Sequence, residues 1–154
     1  MNAIDLIIHN FEETRRRSII TWRGISDQYL DWRPDKDAYS FGETIRHTWV
    51  GDHEYMYMLK TNGQRLEEVP FEKVPILSVE QEIAYSLPYR QELIDWIHSL
   101  SPIDLAEKSI EREKGHKRTL GDMLLRIAYH DSVHVGYLMQ YMRTLQIARP
   151  DIWD

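Results

Sequence analysis

Cysteine is absent from the 154 residues, which removes disulfides, thiolate zinc sites, iron–sulfur clusters and a cysteine nucleophile together. Long apolar runs are missing as well: none approaches the ~20 residues needed to cross a bilayer, so no membrane partner is expected. The N-terminal stretch carries Asp5 and places its basic residues after the apolar ones, the reverse of a secretory signal. The expected location is the cytoplasm. Positive charge is in deficit, with 19 Lys and Arg against 25 Asp and Glu for a net charge of −6. Nucleic-acid affinity rests on clustered cations, and the one basic run, Arg15-Arg16-Arg17, adjoins Glu12 and Glu13. That run reads as a solvated helix face, and no nucleic-acid partner is expected. Repeats and low-complexity tracts are also lacking.

Against these absences stand 42% hydrophobic residues, five tryptophans and seven histidines. One domain over residues 1–154 can bury a single sizeable core at this length. Four segments have helical periodicity. From Ile4 to Leu30, positions Ile4, Ile7, Phe11, Ser18, Trp22, Ile25 and Tyr29 recur at three- and four-residue steps, ending before Pro34. A second helix opens at Ser40, with Glu43 placed for a capping box, and stops at Asn62-Gly63. The third follows Ser78 and reaches Leu100, with Pro88 expected to kink or split it. The fourth runs from Thr119 to about Gln146. The fold class is therefore all-α, a four-helix bundle. The proline-containing stretch 63–78 is a long crossover connection between helices 2 and 3, suited to parallel neighbours. Residues 101–118 read as a loop or short hairpin.

The sharpest local signal is His130-Asp131-Ser132-Val133-His134. An i, i+4 pair sets both imidazoles on one helix face, one turn apart. Chance alone supplies about 0.3 such pairs among seven histidines, so the surroundings decide. Met123, Ile127, His130, His134, Tyr137, Leu138 and Tyr141 share one stripe, the face this helix should bury. Two core imidazoles need polar partners, which either a hydrogen-bonded structural pair or a metal with a third ligand supplies. A zincin H-E-x-x-H is disfavoured: Asp131 stands at the glutamate position, and only Asp151 and Asp154 follow as further donors. The third ligand must then lie upstream. His47 is the candidate, on a stripe with Thr44, Gly51, Glu54 and Met58, where Gly51 would admit a close neighbour. His53, about 240° further round the helix, is the competing choice. His9, His98 and His116 have no partner spacing.

These residues resemble the DinB/YfiT superfamily of metal-binding four-helix bundles. Trp32-Arg33-Pro34, followed by Ser40-Phe41-Gly42-Glu43-Thr44-Ile45-Arg46-His47, is similar to that family's W-R-P … S-[IV]-G-E-[IL]-x-x-H. Thr119-Leu120-Gly121-Asp122 with His130 to Tyr137 is similar to its T-x-G-[ED] … H-E-x-x-H-R-G-Q. The resemblance implies that His47, His130 and His134 hold a divalent transition metal (zinc, nickel or iron). Departures fall at Arg126, where an additional histidine is frequent, and at Asp131, Val135 and Tyr137.

The resemblance further implies a small-molecule enzyme: transfer of a low-molecular-weight thiol cosubstrate to an electrophile, or hydrolysis at the same centre. Asp131 and Tyr137 are the candidate catalytic residues, with Asp52, Glu54 and Trp49 as further pocket candidates. The alternative is a non-catalytic, stress-associated metal-binding or dimerisation protein. A homodimer is the expected assembly.

Overall fold

The computed structural model describes residues 1–153, except for the Lys114 side chain. Asp154, the last residue of the expected domain and one of the two tail donors, lies outside the described residues. The long helices are α1 (Ala3–Arg23), α2 (Phe41–Lys60), α3 (Val79–His98) and α5 (Leu120–Thr144), with a short α4 (Pro102–Glu107) between the last two. Strands β1 (Ser109–Arg112) and β2 (His116–Thr119) form an antiparallel hairpin, Ser109 opposite Thr119. No helix among the described residues is long and apolar enough to cross a membrane.

Local chemistry sets most boundaries. The Ser40 side chain accepts from the Glu43 amide at 3.2 Å while the Glu43 carboxylate accepts from the Ser40 amide at 2.7 Å, which satisfies two orphan donors of α2. That helix stops where Asn62 turns left-handed (φ 53°) and the Gly63 amide donates back to the Met58 carbonyl, a Schellman closure. Gly63 has φ +100°, and a Cβ there would stand 1.8 Å from the Glu111 carbonyl oxygen. Only glycine lets the hairpin dock on the end of α2.

Two expectations need correction. The first helix ends at Arg23, capped by Gly24, rather than continuing to Leu30. The apolar rhythm persisted because Ile25 and Leu30 still turn into the core, at 3% and 4% exposure, from a non-helical segment. Of the two outcomes expected at Pro88, a kink or a split, the split does not occur: α3 runs unbroken across it. Pro88 and Ala84, whose carbonyl loses its helical donor, both lie on the exposed face, where water can take that carbonyl.

Around the bundle the order is α1, α5, α2, α3 and back to α1. Directions follow from the contacts. Arg46 and Trp49 meet Glu82 while Asp52 meets Arg90, so α2 and α3 run parallel, and the long 63–78 connection is the crossover they require. Arg46 secures that crossover: its guanidinium donates to the carbonyls of Phe71, Val74 and Pro75 and pairs with the buried Glu82 at 2.6 Å. Apolar residues fill both ends of the bundle. One cluster joins Ile4, Ile7, Ile8 and Phe11 to Leu120–Ala128 residues of α5, and the other joins Trp22 to Phe41, Ile45, Trp49 and Leu138. Polar clusters lie between these ends.

Candidate metal centre

His47 sits about two turns into α2, and His130 and His134 sit one turn apart on the antiparallel α5. The structure brings the three imidazoles together. His130 Nε2 lies 3.1 Å from His47 Nε2 and 3.0 Å from His134 Nε2, and the three donor atoms all fall within 4.8 Å of one another. Nitrogens held about 2.0–2.1 Å from one ion at tetrahedral angles stand roughly 3.3 Å apart, close to this spacing. A hydrogen-bonded arrangement fits less well, because His130 Nε2 has one hydrogen or one lone pair to share between two neighbours. A cation at the common centre satisfies all three nitrogens at once. The donor set, three imidazoles and no sulfur, suits zinc, nickel or iron without choosing among them.

The electrostatics favour the neutral, ligating form. Burial holds the His47 imidazole below its ordinary pKa. Burial, and then the neighbouring histidines, push His134 down to about 4. His130 is likewise lowered to about 4, by burial first and His47 second, with Asp131 pulling the other way. At neutral pH all three rings offer lone pairs.

Close approach is built into the backbone. A Cβ on Gly51 would lie 3.3 Å from His130 Cε1, so the missing side chain on α2 is where the α5 imidazole fits. Ring contacts orient the trio: Tyr39 against His47 at 5.3 Å, Tyr55 against His130 at 5.7 Å and Tyr137 against His134 at 5.5 Å between centroids. Hydrogen bonds do not perform this task for His130 and His134, whose buried Nδ1 atoms have no partner among the described residues. Metal-bound histidines are usually held through that nitrogen, so packing substitutes here for a fixed acceptor. A cavity of about 410 Å³ opens on His47 and His130 and is lined further by Glu54, Tyr55, Met58 and Arg112. Glu54 is half-buried, and burial raises its carboxyl above the ordinary range.

Other residues singled out from the sequence lie elsewhere. His53 packs on Tyr89, away from the trio. Trp49 is fully buried and donates its indole N–H to Glu82 at 2.9 Å. Asp131 follows His130 in sequence, yet its carboxylate faces α1 and α3. It accepts from Arg15 at 3.0 Å and from Arg90 at 2.6 Å. Asp52 joins them, 3.1 Å from each guanidinium. Burial pushes the Asp131 carboxyl up, but Arg15 and Arg90 outweigh it and leave the group below its ordinary value.

Arg15 therefore corrects the reading of the basic run as a solvated face: it is 5% exposed. Its position completes the buried stripe Ile4, Ile7, Phe11, Ser18, Trp22 of α1. Tyr39 and Tyr55 were missed because tyrosine carries no ligand signature and their proximity arises only from tertiary packing.

A family model described as the DinB superfamily matches residues 10–138. No curated protein matches the chain. Among solved structures, a DinB-like protein from Bacillus cereus is 13% identical, with a TM-score of 0.78 over 96% of this chain and 95% of that one. A DinB-like protein from Bacillus subtilis is 18% identical, TM-score 0.71, over 96% of both chains. YfiT from Bacillus subtilis is described as a probable metal-dependent hydrolase with an unusual four-helix bundle topology. It is 11% identical, TM-score 0.73, over 94% of this chain and 89% of that one.

Proposed function

The chain belongs to the DinB superfamily, and from that premise we propose that it is a metal-dependent enzyme acting on small molecules through His47, His130 and His134. The reaction we assign is transfer of a low-molecular-weight thiol to an electrophile, with hydrolysis at the same centre as the related chemistry. One observation carries this reading: three neutral Nε2 atoms converge within 4.8 Å beside an open cavity. His47, His130 and His134 would hold a divalent ion, which when bound would supply the Lewis acidity that lowers the proton affinity of a thiol or water.

The chain's own residues would do the rest. Glu54, half-buried on the cavity wall with a raised pKa, is suited to hold the proton that the nucleophile gives up. Tyr39 and Tyr137, each 53% exposed and in ring contact with His47 and His134 respectively, could donate hydrogen bonds to a substrate that reaches the trio from their side. Asp131, held between two guanidiniums, anchors α5 in register and so fixes His130 and His134. With no cysteine in the chain, a reacting thiol must come from solution.

Elemental analysis of protein purified without added metal or chelator tests the centre directly. About one divalent ion per chain is expected, with loss in His47→Ala; unchanged metal content in that variant would overturn the ligand set. Thiol-conjugation and ester-hydrolysis assays on the metal-loaded protein then separate the two reactions. A loaded protein inert to every thiol and ester would instead favour a non-catalytic metal-binding role.

A further inference from the structure

Beside the metal centre lies a second cavity of about 340 Å³, lined by Arg112, Glu113, His116, Arg118 and Arg126. Arg112 also walls the cavity that contains His47 and His130, so one side chain borders both. Arg126 sits four residues before His130 on α5, one turn along the stripe that continues to His134. Two of the charges in this cavity are already matched. Arg118 pairs with Asp122 at 2.7 Å, and Glu113 with Arg65 at 2.8 Å. Arg112 and Arg126 make no hydrogen bond or ion pair among the described residues, and the Arg126 Nε is buried without a partner.

In a chain with 25 acids against 19 Lys and Arg, two unmatched guanidiniums lining one concavity are conspicuous. The Arg126 Nε, buried without a partner, and two guanidiniums lining one cavity suit the site to an incoming anion. Guanidinium forks recognise the planar or tetrahedral oxygens of carboxylates and phosphates through paired N–H donors.

We propose that Arg112 and Arg126 form an anion clamp that holds a carboxylate or phosphate group of the substrate while its reactive end lies at the three-histidine centre. This assignment rests on the enzymatic reading above. It predicts that the molecules acted upon are anionic, bound charge-first from the hairpin side of the bundle.

Titration of the full chain with inorganic phosphate and, separately, with succinate tests the clamp. It is followed through the arginine Nε–Hε NMR signals and run both metal-loaded and after chelator treatment. Saturable shifts of the Arg112 and Arg126 signals are expected in both forms, and the tighter probe names the anionic group. Arg112→Gln and Arg126→Gln should each weaken binding about tenfold or more, the loss of a charge-assisted pair. Arg126→Lys should recover part of it, and Arg118→Gln should change little.

Absence of saturable binding by both probes, or equal binding in the glutamine variants, would overturn the clamp. Metal analysis on the same samples keeps the two claims separate. Metal retained without anion binding removes the clamp alone, whereas anion binding in a chain that never retains metal removes the proposed chemistry alone.

Discussion

Helices α2 and α5 each contribute to two polar clusters that differ in every respect except their neighbourhood. On one face stand His47, His130 and His134, uncharged, their Nε2 atoms converging on one another, with His47 and His130 lining a cavity. On the other face Asp52 and Asp131 meet Arg15 of α1 and Arg90 of α3, two groups of each sign, all buried. The quartet takes one residue from each long helix and neutralises itself, so it can be buried without an external partner. The trio cannot satisfy its own nitrogens and is open to what would. His130 and Asp131, adjacent in sequence, therefore point opposite ways: one toward the cavity and the other into the buried ion-pair quartet.

Breaking the quartet should produce the largest effect. Asp131→Ala leaves two buried guanidiniums with one carboxylate and should cost about 3–5 kcal/mol, read as a lowered urea midpoint. A metal-free His47→Ala protein, by contrast, should lie within about 1 kcal/mol of the metal-free parent, because no buried charge is orphaned. If both variants lose equal stability in the metal-free state, the distinction between a structural and a ligand cluster fails. Replacing all four quartet residues by apolar ones of similar size should be far milder than Asp131→Ala, since it orphans no charge. Comparison of urea midpoints for the two proteins checks this.

Acidification should act through the trio. His130 and His134 have folded pKa values of about 4 against an ordinary value near 6.5. As pH falls from about 6.5 towards 4, the unfolded chain takes up protons that the folded chain refuses, so metal-free stability declines across that window and is full above it. Denaturation midpoints measured from pH 7.5 to 4 should show the decline, and His130→Ala should flatten it. Smallest of all, Gly51→Ala places a Cβ 3.3 Å from the His130 ring. A shift of a few tenths of an ångström should loosen metal retention several-fold while the unfolding midpoint moves by less than about 1 kcal/mol, a contrast that competition against a chelator can read.

Much of this was legible from residue order. The Ser40–Glu43 cap, the Asn62-Gly63 stop and the i, i+4 spacing of His130 and His134 are local facts, and local chemistry suffices to place them. Gly51 announced a close neighbour, and the His130 ring occupies that space. Arg15 was half legible: its place in the apolar stripe of α1 pointed inward, but its basic neighbours pointed outward. Only Asp52 and Asp131 on other helices decide between the two. Likewise Ile25 and Leu30 advertised burial correctly and helix incorrectly, because burial in a loop and burial on a helix leave the same apolar mark. Nothing local connects Arg46 to Glu82 or to the carbonyls of the crossover.

By itself, then, the chain's order of residues determined four long amphipathic helices, their caps and a histidine pair on one face, since these depend on interactions within a few residues. It also determined that any ion here is bound by nitrogen and oxygen and that any reacting thiol is borrowed. Tertiary structure alone decided that α2 and α3 run parallel and that His47 rather than His53 meets the pair. It also paired Asp131 with Arg15 and Arg90 and set Tyr55 against His130. Those outcomes rest on contacts between groups tens of residues apart, where only the packed bundle specifies which faces meet.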